Sequence, residues 1–315
     1  MAERGIFEKS DYGKDNRIAF SRLNFFEKKQ DHHLGISIKY VIEGTETYKI
    51  NNAAYKVNSD HYLLINPSQS YDVYLRSNTD ILGVCLNIDS AIINDVYNTM
   101  SLSVKRQLDN PTAMPNAPLE VFENIYNAKS CPLGIILKNL GSKLQSTAKP
   151  SFESYHLYYK LAETLLETQG LVQRKIYQIK AERFVTQQEL FRRIEHGMRT
   201  IEEEFFKPLK IEELAAASAL SPFHFSRTFK QVYRISPYQY ILQRRLEKAK
   251  EHLESDNMSI AEIASSIGFA DIHSFSKSFK NTYSISPKAY RLLKAETRVN
   301  NYTSGLASFK PTAIL

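Results

Sequence analysis

The chain has 315 residues, with 41 Lys+Arg against 34 Asp+Glu and a formal net charge of +7, which exceeds one typical domain and leaves two or three to be expected. With 43% hydrophobic and 24% charged residues, 11 Gly and 11 Pro, it is neither collagen-like, mucin-like nor wholly disordered. Mean hydropathy is -0.38, no window is apolar enough to span a membrane, and the amino-terminal MAERGIFEKS lacks the apolar core of a signal peptide. Membrane association is therefore not expected. Cys85 and Cys131 stand far apart, which gives neither a disulfide framework nor a cysteine metal site, and a reduced cytoplasm is the expected setting.

The first hundred residues read as β structure. Runs rich in Tyr, Val, Ile and Thr fall at 35–42, 46–51, 54–58, 61–66, 70–76 and 80–88. Turn residues break them at Glu43-Gly44, Asn51-Asn52, Ser59-Asp60 and Asn66-Pro67. Strands at this spacing predict a compact antiparallel barrel that closes its edges around a small cavity.

After about residue 90 the pattern changes. Segments 118–127 and 131–146 read as helices, followed by a helix from about Phe152 to Ala181 with Gly170 as a break. In that helix Tyr158, Leu161, Ala162, Leu165 and Leu166 recur three and four apart, and Val172, Ile176 and Ile179 continue an apolar face. Such a stripe either packs back on the β domain or pairs with its copy on a second chain to make a homodimer. Residues 182–190 read as the connection between two halves. Helical character returns from Phe191 to about Ala295, and 296–315 read as a loosely ordered tail. The expected organisation is thus a sensor-like β domain over 1–100, a helical dimerisation or linker region over 101–185, an all-α domain over 191–295, and the tail.

The all-α segment contains itself twice. Residues 211–240 read IEELAAASALSPFHFSRTFKQVYRISPYQY and residues 260–290 read IAEIASSIGFADIHSFSKSFKNTYSISPKAY. Ala215 matches Ala264, Phe225 matches Phe275, Phe229 matches Phe279, Lys230 matches Lys280, Tyr233 matches Tyr283, and both copies end in Ile-Ser-Pro and an aromatic. Each copy reads as a short helix, a tight turn and a second helix, over 211–232 and 260–282. Gly268 can take a positive φ at the turn, where Ala219 would be slightly strained. Ser221 with Pro222, and Asp271, are suited to cap the second helices.

Phe225 with Phe229, and Phe275 with Phe279, lie on one face and should point to the core. The outward set is then Phe223, His224, Ser226, Arg227 and Lys230 in one copy, and Ile272, His273, Ser276, Lys277 and Lys280 in the other. A polar, basic face on the second helix of a helix-turn-helix suits the major groove of double-stranded DNA; a plain hairpin with a solvated face is the alternative that duplication disfavours. Charge follows the same segment, since 221–250 carries seven basic residues against Glu247 alone, next to the acidic IEEEFF at 201–206. Between the copies, 237–254 reads as a helix about 27 Å long, enough to set two second helices ~34 Å apart, one turn of DNA. On it, Arg244 and Arg245 either touch phosphates or pair with the acidic 202–204 segment.

These residues resemble the AraC/XylS family of bacterial transcription regulators. The likeness covers about 191–295 and rests on IEELAAASALSPFHFSRTFK, RRLEKAKEHL, IAEIASSIGFADIHSFSKSFK and ISPKAYR. The resemblance implies a DNA-binding domain of two helix-turn-helix units joined by a linker helix. It puts Ser226 and Arg227, with Phe223 and Lys230, on base- and phosphate-reading positions, and Ile272, His273, Ser276 and Lys277 on the corresponding ones. Ile272 is apolar where polar readers are frequent, so it suits a thymine methyl, or a unit held through phosphates.

The first part is similar to the family's cupin-type sensing domain, through Gly44 and HYLLINPSQSYDVYL. The implied fold class is multidomain α+β, a cupin-like antiparallel β-barrel with trailing helices followed by the all-α domain. His32, His33 and His61 are scattered and Tyr71 stands where a strand His would be expected, so neither a metal, another cofactor nor cupin oxygenase chemistry is anticipated. Tyr40, Tyr48, Tyr55, Tyr62, Tyr71 and Tyr74 either line a cavity with hydroxyls or are ordinary strand aromatics.

The functional expectation is a sequence-specific DNA-binding regulator, not an enzyme, whose N-terminal domain senses a small effector. Its ligand residues are not named by the sequence, and RNA polymerase is a candidate further partner. A regulator whose N-terminal domain only dimerises or binds a protein is the alternative. A cupin catalyst or an alkyl-transfer repair protein is the remote one, because neither cysteine has a nearby His or a metal-ligand spacing.

Overall fold

The computed structural model describes residues 5–9, 16–51, 53–101, 120–129, 131–146, 155–255 and 258–294. The chain divides into two compact units, Met1–Arg174 and Lys175–Leu315. The tail expected over 296–315 lies outside the described residues, as does Phe152.

The first unit is built on one antiparallel sheet. Its strands are β1 (Gly5–Lys9), β2 (Arg17–Asp31), β3 (Ile36–Glu43), β4 (Thr45–Ile50), β5 (Ala53–Asn58), β6 (His61–Ile65), β7 (Tyr71–Ile88) and β8 (Ile125–Asn127). They run in the order β1-β2-β7-β3-β6-β8, with β4 paired to both β5 and β7. The sequence suggests two strands over 70–76 and 80–88, but β7 is one strand of 18 residues. Its first half pairs with Thr47–Lys49 of β4 and its second half with β3, while β2 follows it along both halves. A strand shared in this way rolls the sheet onto itself. One buried cluster accordingly draws Val41, Tyr48, Val57, Leu63, Leu75 and Ile81 from five different strands. Each such aliphatic side chain contributes about 1.5–3 kcal/mol on leaving water. Gly44 makes the β3–β4 turn at φ +89, where a Cβ would lie 2.8 Å from Ile81 Cγ1.

β1 and β2 are absent from the sequence reading. β2 shows no continuous alternation because its pairing with β7 shifts register between Leu23 and Phe25. Before the shift Arg17, Ala19, Ser21 and Leu23 line the cavity, which Phe20 also reaches; after it Phe26 and Lys28 do. A bulge that switches parity in mid-strand erases the period of two that marks a strand.

Three helices complete the unit: α1 (Ser90–Ser101), which the sequence reading did not assign, α2 (Pro132–Ser146) and α3 (Tyr155–Tyr177). The helix expected over 118–127 is not formed. Residues 120–124 are irregular and Ile125–Asn127 pair with β6, with Tyr126 stacked on Tyr62 at 5.3 Å between centroids. The sheet edge offers this segment a ladder and an aromatic partner, and that outweighs its local spacing. Helix α3 runs through Gly170 without a break.

The apolar stripe of α3 is buried inside the single chain, with Tyr158, Leu161, Ala162 and Leu165 all closed off. The helix is fastened by Gln169, whose Oε1 accepts from Phe122 N–H at 2.8 Å and whose Nε2 donates to Tyr126 Oη at 3.2 Å. Tyr159 Oη donates to Asp95 at 2.6 Å. Of the two roles left open by periodicity, the stripe takes the intramolecular one.

The second unit is helical. Its elements are α4 (Phe184–Glu204), α5 (Ile211–Ala217), α6 (Pro222–Tyr233), α7 (Pro237–Ser255), α8 (Ile260–Ser266), α9 (Ile272–Tyr283) and α10 over 287–294. Most of the connection expected over 182–190 is already helix α4. The two copies repeat in detail. Phe225 and Phe229 lie 5.8 Å apart, Phe275 and Phe279 5.7 Å. Phe229–Tyr233 and Phe279–Tyr283 are 4.6 and 4.7 Å, and Phe229–Tyr240 and Phe279–Tyr290 are 5.9 and 5.6 Å. Tyr240 Oη donates to Glu202 on α4, and Tyr290 Oη to Glu254 on α7. Helix α7 therefore supports the second copy as α4 supports the first.

Turns and caps follow the sequence expectations. Ser221 Oγ accepts from His224 N–H, and Asp271 Oδ1 from Ser274 N–H at 2.7 Å. Ala219 has φ 51 and Gly268 φ 84. A Cβ at Gly268 would also lie 2.6 Å from Phe206 O. Gly268→Ala should lower stability by about 1–3 kcal/mol. Ala219→Gly should leave stability unchanged or raise it by up to about 1 kcal/mol. Chemical denaturation of the two variants checks the opposite signs.

Candidate nucleic-acid interface and barrel cavity

On α6 and α9 the buried phenylalanines fix which way the remaining residues point. Phe225, Phe229, Phe275 and Phe279 are all 0% exposed. Phe223, His224, Arg227 and Lys230 on α6 are exposed and Ser226 is half-buried; Ile272, His273, Lys277 and Lys280 on α9 are exposed and Ser276 is half-buried. Phe223 is 76% exposed, an unusual state for a large aromatic that no core contact explains.

The cations divide into two groups. Among the described residues no carboxylate pairs with Arg227, Lys230, Lys277 or Lys280. The other basic side chains of the unit are largely engaged. Arg192 and Arg193 pair with Glu189, Lys207 with Glu204, Lys248 with Glu251 and Lys294 with Glu254. Lys250 lies over the Tyr283 and Tyr290 rings. Arg244, expected as a DNA contact or a structural pair, makes the structural pair: its Nε lies 2.9 Å from Glu202, its Nη1 contacts Glu247, and it stacks over Phe205. Arg245 donates to Phe205 O at 2.7 Å and Lys207 O at 2.8 Å. Arg227 with Lys230, and Lys277 with Lys280, thus present charge without a carboxylate partner on matching turns of two matched helices, as Lys180 and Lys288 do elsewhere in the unit.

The barrel of the first unit contains a cavity of about 130 Å3. Of the strand tyrosines only Tyr48 and Tyr71 line it. Tyr62 packs on Tyr126, Tyr55 lies against the core, Tyr40 donates to Ser59 O, and Tyr74 is exposed. The sequence does not single out the rest of its polar lining as a site: Arg17, Ser21, Lys28, Asp31, His33, Lys39, Glu46 and Cys85. The available signal was Lys39, a lysine in the middle of the apolar run GISIKYVI.

Burial pushes the Glu46 carboxyl and the Tyr71 hydroxyl up from their ordinary values. Burial also pushes Asp31 up, but hydrogen bonding and the charge of Lys28 at 2.8 Å outweigh it and hold that carboxyl below the usual range. Among the described residues no group of three His, Cys, Asp or Glu is placed to hold a metal. Cys131 Sγ lies 3.2 Å from Tyr62 Oη and 3.3 Å from Asn127 O. No helix among the described residues is long and apolar enough to cross a membrane.

A rolled antiparallel sheet with an internal cavity, joined to duplicated helix-turn-helix units, defines a two-module class: a ligand-binding type of domain with a DNA-binding type. Residues 22–135 match the family profile of the AraC-like ligand binding domain, and 214–292 that of a helix-turn-helix domain. The chain belongs to the AraC/XylS family. It is 37% identical over 75 residues to the bifunctional transcriptional activator/DNA repair enzyme AdaA of Bacillus subtilis, 24% of this chain and 36% of that one. It is 34% identical over 89 residues to the MmsAB operon regulatory protein of Pseudomonas aeruginosa, 28% of this chain and 29% of that one. The matches thus span about a third of these relatives' length. The C-terminal domain of the two-component response regulator yesN from Fusobacterium nucleatum is 36% identical, covering 31% of this chain and 95% of that chain with a TM-score of 0.30.

His33 gives the cavity a pH signature. Burial, and then the charge of Lys39, lower it from 6.5 to about 4. Between those values the unfolded chain binds a proton that the folded chain refuses, so stability falls as pH drops through this window. Folding free energy should drop by about 1–2 kcal/mol between pH 6.5 and 4 after solvent screening. Denaturant titration across that range should show a smaller drop in His33→Gln.

Proposed function

We propose that this chain is a sequence-specific transcription regulator that binds double-stranded DNA through α6 and α9 and takes a small effector in the cavity of its N-terminal unit. The observation that carries the reading is the pair of matched ridges whose cations no carboxylate of the described residues neutralises. Leaving such charges unpaired while neighbours are paired is what a phosphate backbone requires, since each contact releases condensed counterions. Arg227 and Lys277, with Lys230, Lys280, Ser226 and Ser276, are the proposed phosphate and base contacts. Phe223, His224, Ile272 and His273 lie at the helix starts, where base edges are read. Arg244 is left out of the contact set because two carboxylates already hold it.

The rest of the reading follows from this one. A spacer helix such as α7 sets two second helices ~34 Å apart, on successive major-groove segments of one duplex face. Effector binding shifts the population of states in which the two modules are placed for DNA. The regulator acts in the cytoplasm as a homodimer, without enzymatic activity, and RNA polymerase is its further partner. A dimer cannot use the α3 stripe, because Tyr158, Leu161 and Leu165 are already buried within one chain.

Binding to the DNA upstream of its own operon, measured by fluorescence anisotropy over a range of salt, tests the interface. Arg227→Ala and Lys277→Ala together should lower the slope of log affinity against log salt by about 2, at ~0.9 per lost phosphate contact. If Arg227 also reads a base, its loss costs a further 1–3 kcal/mol, roughly, on the cognate site alone. Arg244→Ala should lower stability and leave the salt slope in place. Unchanged affinity and slope in the double variant would overturn the proposed contacts.

A further inference from the structure

The cavity of the first unit contains a buried ammonium that, among the described residues, no carboxylate contacts directly. Lys39 lies on β3 and is 3% exposed. Its Nζ donates to Tyr71 Oη at 2.7 Å and to Cys85 Sγ at 2.8 Å, and stands 4.7 Å from the centre of the Tyr71 ring. These partners are a hydroxyl, a thiol and a ring face. The cavity does contain two carboxylates, but both are engaged elsewhere: Asp31 with Lys28 and the Tyr71 hydroxyl, and Glu46 with the Tyr48 hydroxyl. Among the described residues neither comes within ion-pair distance of Lys39, although its charge acts on the Glu46 carboxyl and partly offsets the effect of burial there. An ammonium taken out of water is strongly disfavoured unless a counter-charge meets it, and Lys39 sits on the strand between the buried Ile38 and Tyr40.

The other walls describe what could meet it. Leu23, Phe26, Val73, Leu75 and Val84 make one side apolar. The cavity, at about 130 Å3, is close to the roughly 150 Å3 that holds a benzene molecule in an engineered protein core. Asp31 and Glu46 on the polar side oppose a second negative group on the same ligand.

We propose that the cavity takes a small organic monocarboxylate, its carboxylate on the Lys39 ammonium and its hydrocarbon end against Leu23, Phe26 and Leu75. The proposal rests on the reading of the first unit as an effector domain and names the effector's chemical class. The carboxylate supplies the missing counter-charge, and the apolar walls select for bulk. Polyols and cations lack the group that the buried ammonium requires.

The test uses the full chain, thermal unfolding and titration calorimetry. The probes are propionate, butyrate, valerate and benzoate at millimolar concentration, each beside its amide, with a panel of sugars and polyols. At least one acid should raise the unfolding temperature by several degrees while its amide does not. Lys39→Met should weaken that acid at least tenfold, and Cys85→Ala should retain its affinity. The proposal is overturned if amides match their acids, if no acid binds, if Lys39→Met still responds, or if Cys85→Ala abolishes the response and so assigns the counter-charge to the thiol. The comparison of acid with amide is made on the unaltered chain, so it stands even if a variant fails to fold. Binding of a polyol and not of acids would remove the carboxylate assignment and leave the effector domain intact. If no small molecule of any class changes stability or DNA affinity, the effector reading itself fails.

Discussion

Two phenylalanines four residues apart decide the orientation of each second helix in the duplicated units. Phe225 with Phe229, and Phe275 with Phe279, bury their rings completely and set the roll of α6 and α9 about their own axes. Once that roll is fixed, residues two and five positions after Phe225, Arg227 and Lys230, have only the solvent side available. The energy that holds a basic ridge outward is therefore hydrophobic energy spent on the opposite face. The tyrosines extend the same constraint, since Tyr240 and Tyr290 each touch the second ring from the next helix and anchor to Glu202 and Glu254.

The basic residues of the second unit show how one residue type serves two purposes. Arg244 and Arg245 are spent on fixing α7 against the end of α4, through Glu202, Phe205 O and Lys207 O. Among the described residues, Arg227 and Lys277 have no carboxylate partner and stand on turns that match between copies. Net charge does not separate these roles, because the 221–250 segment counts both kinds alike. Only the identity of the nearest oxygen distinguishes a structural arginine from one available to an anionic partner.

The first unit follows another logic. A single long strand, β7, is shared by both halves of the sheet, and the bulge in β2 turns Phe26 and Lys28 inward after the parity of Arg17 to Leu23 is lost. The cavity that results is lined by residues far apart in the chain, from Arg17 to Cys85. Burial and the Lys39 charge act together on His33, while Lys28 offsets burial at Asp31. The polar groups of the cavity thus form one electrostatic system around a buried ammonium.

By itself the sequence determined the features whose physics is local. Helical spacing of Phe225 and Phe229, capping by Ser221 and Asp271, the turn at Gly268 and the match between two copies are all written within about a dozen neighbouring residues, and α6 and α9 form where that writing places them. Tertiary structure decided what depends on partners distant in the chain. It made a strand of Ile125–Asn127 because the edge of β6 was open, joined 71–88 into one strand, hid β2 behind a bulge and kept the α3 stripe for its own unit. It also gave Arg244 to Glu202 and brought the Lys39 ammonium against Tyr71 and Cys85. The reason is the same in each case: periodicity records which face of an element is apolar, whereas pairing, register and charge balance depend on the element that folding brings against that face.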